Sequence, residues 1–255
     1  MRGPLRLVAA LAPFAALFAV ACSGADFPDP SDPVARIVWP DYELLRYDIT
    51  DQTDELIGTV DFEVERFDGE FRLRIEFLLP ESGAQDELVL HVDAESLEPL
   101  RYERLATAPG QRVEVTATYG VDADGRFVDS LVIEDGEREQ RRIGLQEDSF
   151  DTDSSAWLWR TLPFDIDLDL SYRSVNVFAQ RSQLVSLRVR GQDQIRTPLG
   201  DFLAWQVEVR PGVDRQTAWY SVDDPNLLVR WDLEPRRYLL RDVITDRRHN
   251  KRPGG

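Results

Sequence analysis

The sequence predicts an all-β fold, mainly antiparallel: a curved meander sheet or incomplete β-barrel with one short helix near residues 154–162. Three observations predict it. Apolar residues recur with period two through most of the chain, as in "EFRLRIEFLL", where Phe71, Leu73, Ile75, Phe77 and Leu79 share one side and Arg72, Arg74 and Glu76 the other. Asp-Gly dipeptides at 68–69, 124–125 and 135–136 sit between such runs and suit tight hairpin turns. One stretch, "DTDSSAWLWRTLPF", breaks the alternation.

At the amino end, Arg2 and Arg6 lead into an apolar stretch from Leu7 to Ala21. It is shorter than the roughly twenty residues a spanning helix needs, so residues 1–21 read as an export signal that stands outside the fold. The residues at its end, Ala19-Val20-Ala21, together with Cys22 resemble the lipobox of bacterial lipoproteins, with Ala19 where that family most often has Leu. The resemblance implies cleavage between Ala21 and Cys22 and a diacylglycerol thioether on Cys22, which then becomes the first residue of the mature chain. Ser23 next to it resembles lipoproteins sent to the outer membrane, which implies an exported protein on the periplasmic face of that membrane. Cys22 is the only cysteine, so no disulfide forms within the chain. Two or three acyl chains anchor where one does not, because each buried methylene contributes about 0.8 kcal/mol.

The stretch "SGADFPDPSDPVAR" is rich in Pro, Asp, Ser and Gly, and residues 22–36 read as a tether. The folded body is expected over 37–247, with a disordered tail at 248–255. Strands are expected around Val60, Phe62 and Val64, around Val113, Val115, Ala117 and Tyr119, around Val185, Leu187 and Val189, and around Leu203, Trp205, Val207 and Val209. Each set has one wet and one dry face. With "TPLG" at 197–200 and "RPGVD" at 210–214 as further turns, the count comes to about ten to thirteen strands. Asp153, Ser154 or Ser155 caps a helix of about two turns that stops before Pro163. A sheet with one dry face must curl on itself or be covered, so this helix is the candidate plug. No repeat or linker composition divides the body, and a single domain is expected.

"TPLGDFLAWQVEVRPGVDRQTAWYSVDDPNLLVRWD" resembles the closing part of an uncharacterised family of bacterial envelope proteins. The matching residues are Thr197, Pro198, Gly200, Phe202, Trp219, Tyr220, Ser221, Asp224, Pro225, Val229 and Arg230. Asn226, Leu227 and Leu228 stand where the family has Pro directly before the Val-Arg pair. "YELLRYDITDQTDELIGTVDFEVER" is similar to the family's first hairpin. The resemblance implies a half barrel related to the lipoprotein carriers LolA and LolB, which hold acyl chains between a concave sheet and a helical lid.

Composition and motifs narrow the chemistry. With 47 acidic against 30 basic residues and a formal charge of −17, the chain repels nucleic acid, and no nucleic-acid partner is expected. Lys251 is the only lysine, so arginine carries almost all the positive charge. His91 lies opposite Leu88, Leu90 and Val92, on the wet face, and His249 stands in the polar tail. "FDIDLDL" spaces Asp165, Asp167 and Asp169 like the start of a calcium loop, but Leu170 stands where that loop needs Gly; the three acids read as the wet face of a strand. Asp151 and Asp153 read as helix-start residues. No nucleophile elbow, phosphate loop or dinucleotide fingerprint occurs, and no catalytic residue, metal or cofactor is expected. Trp157, Trp159, Trp205, Trp219 and Trp231 read either as plain core on the dry face or as the lining of an apolar groove, and for the groove Trp157, Leu158, Trp205 and Trp219 are the candidate ligand-lining residues.

The expectation is a lipid-anchored, non-enzymatic envelope protein, held to the membrane through Cys22, whose curled sheet binds an apolar ligand or lipid during envelope transport or assembly. The alternative is a scaffold lipoprotein with a packed core that binds a partner protein of the envelope. The third reading is a hydrolase with paired carboxylates in a pocket.

Overall fold

The computed structural model describes residues 34–246. The expected signal segment 1–21, the expected cleavage between Ala21 and Cys22, the expected lipidation of Cys22, the expected tether as far as residue 33, His249 and the expected tail at 248–255 all lie outside the described residues. No helix among the described residues is long and apolar enough to cross a membrane.

Alternating sequence becomes alternating burial. The first half of the chain forms β1 (Tyr42–Thr50), β2 (Leu56–Phe67), β3 (Glu70–Leu79), β4 (Ala84–Asp93), β5 (Pro99–Ala108), β6 (Gln111–Asp122), β7 (Gly125–Glu134) and β8 (Glu137–Gly144). After β9 (Ser149–Asp151) comes a helical run of two 3-10 turns, 152–154 and 159–161, around α1 (Ser155–Leu158). The second half is β10 (Asp169–Asn176), β11 (Arg181–Arg196), β12 (Asp201–Pro211), β13 (Gln216–Ser221), β14 (Leu228–Leu233) and β15 (Arg236–Ile244). That makes fifteen strands among the described residues, more than the ten to thirteen expected, because short β9 and β14 carry too few residues to show a period.

All fifteen lie in one sheet, in the order β8-β7-β6-β5-β4-β3-β2-β1-β15-β14-β13-β12-β11-β10-β9. Neighbours are antiparallel except β9 and β10, which run parallel. The first and last strands pair at the centre, with Leu44 opposite Ile244 and Thr50 opposite Arg237. The chain therefore runs outward from the centre along one half, crosses from β8 to β9, and returns to the centre along the other. The sheet curls but does not close into a barrel.

Hairpins between Phe67 and Glu70 and between Glu134 and Glu137 have the two-residue loops Asp68-Gly69 and Asp135-Gly136. All four residues have positive φ, the conformation that matches strand twist. The third hairpin is displaced by one residue: Asp122 pairs with Gly125, so its loop is Ala123-Asp124.

The concave face holds the core. Val60, Val64, Leu73, Leu90, Val128, Val207 and Val209 have no exposed surface. Each such side chain contributes roughly 1.5–3 kcal/mol by leaving water. Two expected faces differ. Leu203 is 44% exposed although it was grouped with Val207 and Val209. Arg190 is an extra residue between the Val189–Val207 and Gly191–Gln206 pairs, a bulge that turns the end of the β11–β12 hairpin so that Ile195 and Ala204 are buried instead. Residues 164–168 are not strand: Asp165 Oδ1 accepts the Asp167 N–H at 2.8 Å and makes a turn, leaving Ile166 exposed. Only Asp169 of the three acids lies in a strand, where it pairs with Arg188.

Before β1 the chain is already engaged. Val34, Ile37 and Val38 pack against the core, Trp39 is buried, and the Arg36 N–H donates to Thr161 O at 3.2 Å.

Candidate functional site

The helical run is placed by its own sequence. The cap is Asp151, ahead of the expected Asp153, Ser154 or Ser155: it is extended (φ −72°, ψ 141°) and its side chain accepts the Asp153 N–H at 2.8 Å, because the run opens with a 3-10 turn at 152–154. Leu162 returns to extended backbone ahead of Pro163, which cannot continue a helix. Ten residues, 152–161, thus form the plug expected at 154–162, and they lie against the concave face.

Arg160 locks the far end of the plug. Its guanidinium forks onto Glu43 of β1, with Nη2–Oε1 at 3.2 Å, and both side chains are 1% exposed. Arg160 Nη2 and Nε also donate to Pro225 O and Asn226 O, each at 3.2 Å, and Asn226 Nδ2 returns a bond to Arg160 O at 3.0 Å. The loop carrying Asp224 and Pro225 is therefore the cradle of a buried arginine.

The near end borders a cavity of about 180 Å³ between the plug and both halves of the sheet. Its apolar wall includes Phe62, Ile75, Leu88, Trp159, Trp231 and Tyr238. Its charged groups are Asp86, Arg104 and Asp153. A second chamber of about 470 Å³ shares Phe77, Asp86, Arg104, Asp153 and Tyr238 with the first. It opens at the end of the sheet where β3 turns into β4, β5 into β6 and β14 into β15, opposite the Arg160–Glu43 end.

The polar groups are linked in a definite way. Arg104 forks onto Asp86, Nε–Oδ1 2.9 Å and Nη2–Oδ2 2.5 Å, within the inner face. Burial opposes the Arg104 charge most strongly, but the bond to Asp86 together with the charges of Tyr102, Asp86 and Asp153 outweighs it and holds the guanidinium above its ordinary value. Tyr102 Oη of β5 donates to Asp153 Oδ2 at 2.9 Å, and Tyr119 Oη of β6 donates to Asp151 Oδ2. Burial pushes both carboxyls upward; for Asp151 the charge of Asp153 adds to it, and for Asp153 the Arg104 charge opposes it. Burial and the facing carboxylates likewise push Tyr102 and Tyr119 up. These four side chains tie the plug on one half of the sheet to the other half. Elsewhere on the wall, Thr152 Oγ1 meets Ser174 Oγ at 2.7 Å.

The residues expected to line a groove lie elsewhere. Trp157, 2% exposed, packs on Phe62 with ring centroids 5.5 Å apart, and Leu158 is 1% exposed. Trp205 packs against the core, partly buried. Trp219 donates Nε1–H to Asp193 Oδ2 at 3.1 Å and lies under Arg230. None of the four lines the cavity; Trp159 and Trp231 do, with centroids 5.7 Å apart. Asp151 and Asp153 are helix-start residues as expected, but their pairing with Tyr119 and Tyr102 was not foreseen. Asp86 and Arg104 were overlooked, though each stands on the apolar parity of its strand: Asp86 with Leu88 and Leu90, Arg104 with Tyr102. His91 lies on the outer face, 3.2 Å from Glu70 and 3.1 Å from Arg101. No group of three or more His, Cys, Asp or Glu among the described residues could hold a metal ion.

A family model described as "Protein of unknown function (DUF3108)" matches residues 46–236. No curated protein matches the chain. Among solved structures, a β-barrel-like protein of the DUF1849 domain from Brucella abortus is 10% identical, covering 83% of this chain and 99% of that one, with a TM-score of 0.45. A candidate exported protein with a YmcC-like fold from Bacteroides fragilis is 8% identical over 82% of this chain and 99% of that one, TM-score 0.28. A candidate lipoprotein from Parabacteroides distasonis is 11% identical over 85% of this chain and 100% of that one, TM-score 0.29.

Proposed function

We propose, from the premise that this chain belongs to the DUF3108 family, that it is an exported, lipid-anchored envelope protein that binds an apolar ligand between its curled sheet and the 152–161 plug. The two-chambered cavity carries this reading. The inner chamber alone is comparable to an engineered apolar cavity of about 150 Å³ that stays dry and accepts benzene. With the open chamber beside it, the space falls in the range of roughly 300–1,000 Å³ typical of small-molecule sites. The signal at 1–21 and the lipobox at Ala19 to Cys22 support the anchored, exported part of the proposal.

A packed-core scaffold would have its dry faces meet, and here they stand apart around Asp153. Hydrolysis by paired carboxylates is favoured by one observation, the two raised aspartates. Asp151, however, commits its oxygens to Tyr119 and the Asp153 N–H and does not line the cavity, so only Asp153 and the neutralised Asp86 face a substrate.

The test is saturable binding of a neutral apolar dye, N-phenylnaphthylamine, to the delipidated chain. One site per molecule is expected, and Ala156→Phe, which projects a ring into the inner chamber, should abolish it without changing the far-ultraviolet circular dichroism. No saturable binding by the native chain overturns the proposal, as does full binding by the folded Ala156→Phe protein.

A further inference from the structure

The polar wall of the cavity is asymmetric in charge, and this deepens the proposal above, on which it rests. Arg104 spends Nε and Nη2 on Asp86, so that pair is internally neutral. Asp153 stands at the junction of the two chambers and lines both. It accepts one side-chain hydrogen bond, from Tyr102 to Oδ2; among the described residues its Oδ1 has no partner. Protein surrounds Asp153, and the surface it keeps faces the cavity. The groups around it are Asp151 on its own run, Tyr102 and Arg104 on β5, Tyr119 on β6 and Asp86 on β4. Three carboxyl groups thus stand around one guanidinium, that of Arg104; Arg236 lines only the open chamber, and the remaining titratable neighbours are phenols. Beyond them the inner wall is mostly apolar, with Thr152, Ser155, Ser174, Gln183 and Gln216 as its uncharged polar residues.

We infer that the site takes a cationic amphiphile, its amine held by Asp153 at the chamber junction and its apolar part in the inner chamber. An ammonium donates to the free Oδ1 and supplies the charge that burial denies the carboxylate. A fatty-acid carboxylate would meet Asp153 and find Arg104 already taken. A neutral alcohol makes a hydrogen bond but no ion pair. The acidic chain, at −17, adds attraction for cations on approach.

Three probes with one chain length separate these cases: octylamine, octan-1-ol and octanoate, titrated calorimetrically into the delipidated chain. Octylamine should bind at least about tenfold more tightly than octan-1-ol, the margin of a charge-assisted over a neutral hydrogen bond, and octanoate more weakly than either. Asp153→Asn should bring octylamine down to the level of octan-1-ol and leave octan-1-ol unchanged. Lowering the pH should weaken octylamine alone, because burial raises the Asp153 carboxyl and protonation removes its charge. Octan-1-ol or octanoate binding as tightly as octylamine overturns the inference while leaving an apolar site in place. Binding of none of the three, with no dye binding, overturns the proposed function itself. If Asp153→Asn does not fold, the affinity order in the native chain decides.

Discussion

Asp151 has no exposed surface, and burial, followed by the charge of Asp153, lifts its carboxyl above the usual range. The bonds from Tyr119 and from the Asp153 N–H act the other way without cancelling the lift. In the unfolded chain the same carboxyl titrates near about 3.9. Between that value and its raised folded one, the folded state holds a proton that the unfolded state releases. The contribution of Asp151 to stability is therefore complete below about pH 4 and is lost as pH rises through the folded value. Glu208 has the opposite sign: Arg190, Arg215 and Arg210 hold it down to about 2, so its contribution is lost only as pH falls toward 2. Asp151→Asn removes the first titration and leaves the second. Thermal melts at constant ionic strength should show Tm falling less between pH 5 and pH 8 in Asp151→Asn than in the native chain, and parallel profiles would refute the assignment.

At the scale of elements, the plug is held by one side chain more than by its own helical turns, since four residues of α-helix are too few to persist alone. Arg160→Met leaves Glu43 buried without a partner, and should cost about 3–5 kcal/mol in urea denaturation. Adding Glu43→Gln should recover most of that loss, and what stays lost measures the Pro225 and Asn226 carbonyls left without a donor. Purely additive losses would mean the pair does not act as a unit. The same element shows what sequence can and cannot reveal. The Asp and Ser residues before the apolar run and Pro163 as stop are local signals, and the helix was legible from them within two residues, although the cap is Asp151 and not Asp153, Ser154 or Ser155. Which face of the plug meets the cavity was not, because Trp157 and Trp159 are alike in type and the plug's orientation depends on Glu43, 117 residues away. Inner faces such as Val60, Phe62 and Val64 were legible because a period of two needs no partner to show itself. The strand that each face pairs with was not, since alternation is identical for every neighbour. Asp86 and Arg104 did carry a readable mark, charge on an apolar parity, and it points to a cavity wall only when both parities are known to face inward.

For the whole molecule, the order of strands decides where stability concentrates. β1 and β15 form the central pair although almost the entire chain separates them, so their contacts close the longest loop in the fold. Tyr47 and Leu240, paired across that seam, have no exposed surface, and Tyr47 Oη donates to Leu228 O at 2.8 Å. The edges are β8 and β9, joined by four residues. β8, "EREQRRIG", is exposed along most of its length and charged at five of its eight positions, which blunts it as a template for another strand. An edge strand with few buried contacts opens without disturbing the rest, whereas the central pair cannot open unless both halves of the sheet come apart. Native-state hydrogen exchange should therefore find the amides of Glu137–Gly144 exchanging fastest among the strands. The amides of Tyr47–Ile49 and Tyr238–Leu240 should exchange slowest, at the free energy of global unfolding measured by denaturant. Early exchange of β15 would mean that the chain ends fray from the sheet as ordinary termini do. The seam would then be the weakest line of the fold, and the cavity, whose walls come from both sides of it, would open there and not at its mouth.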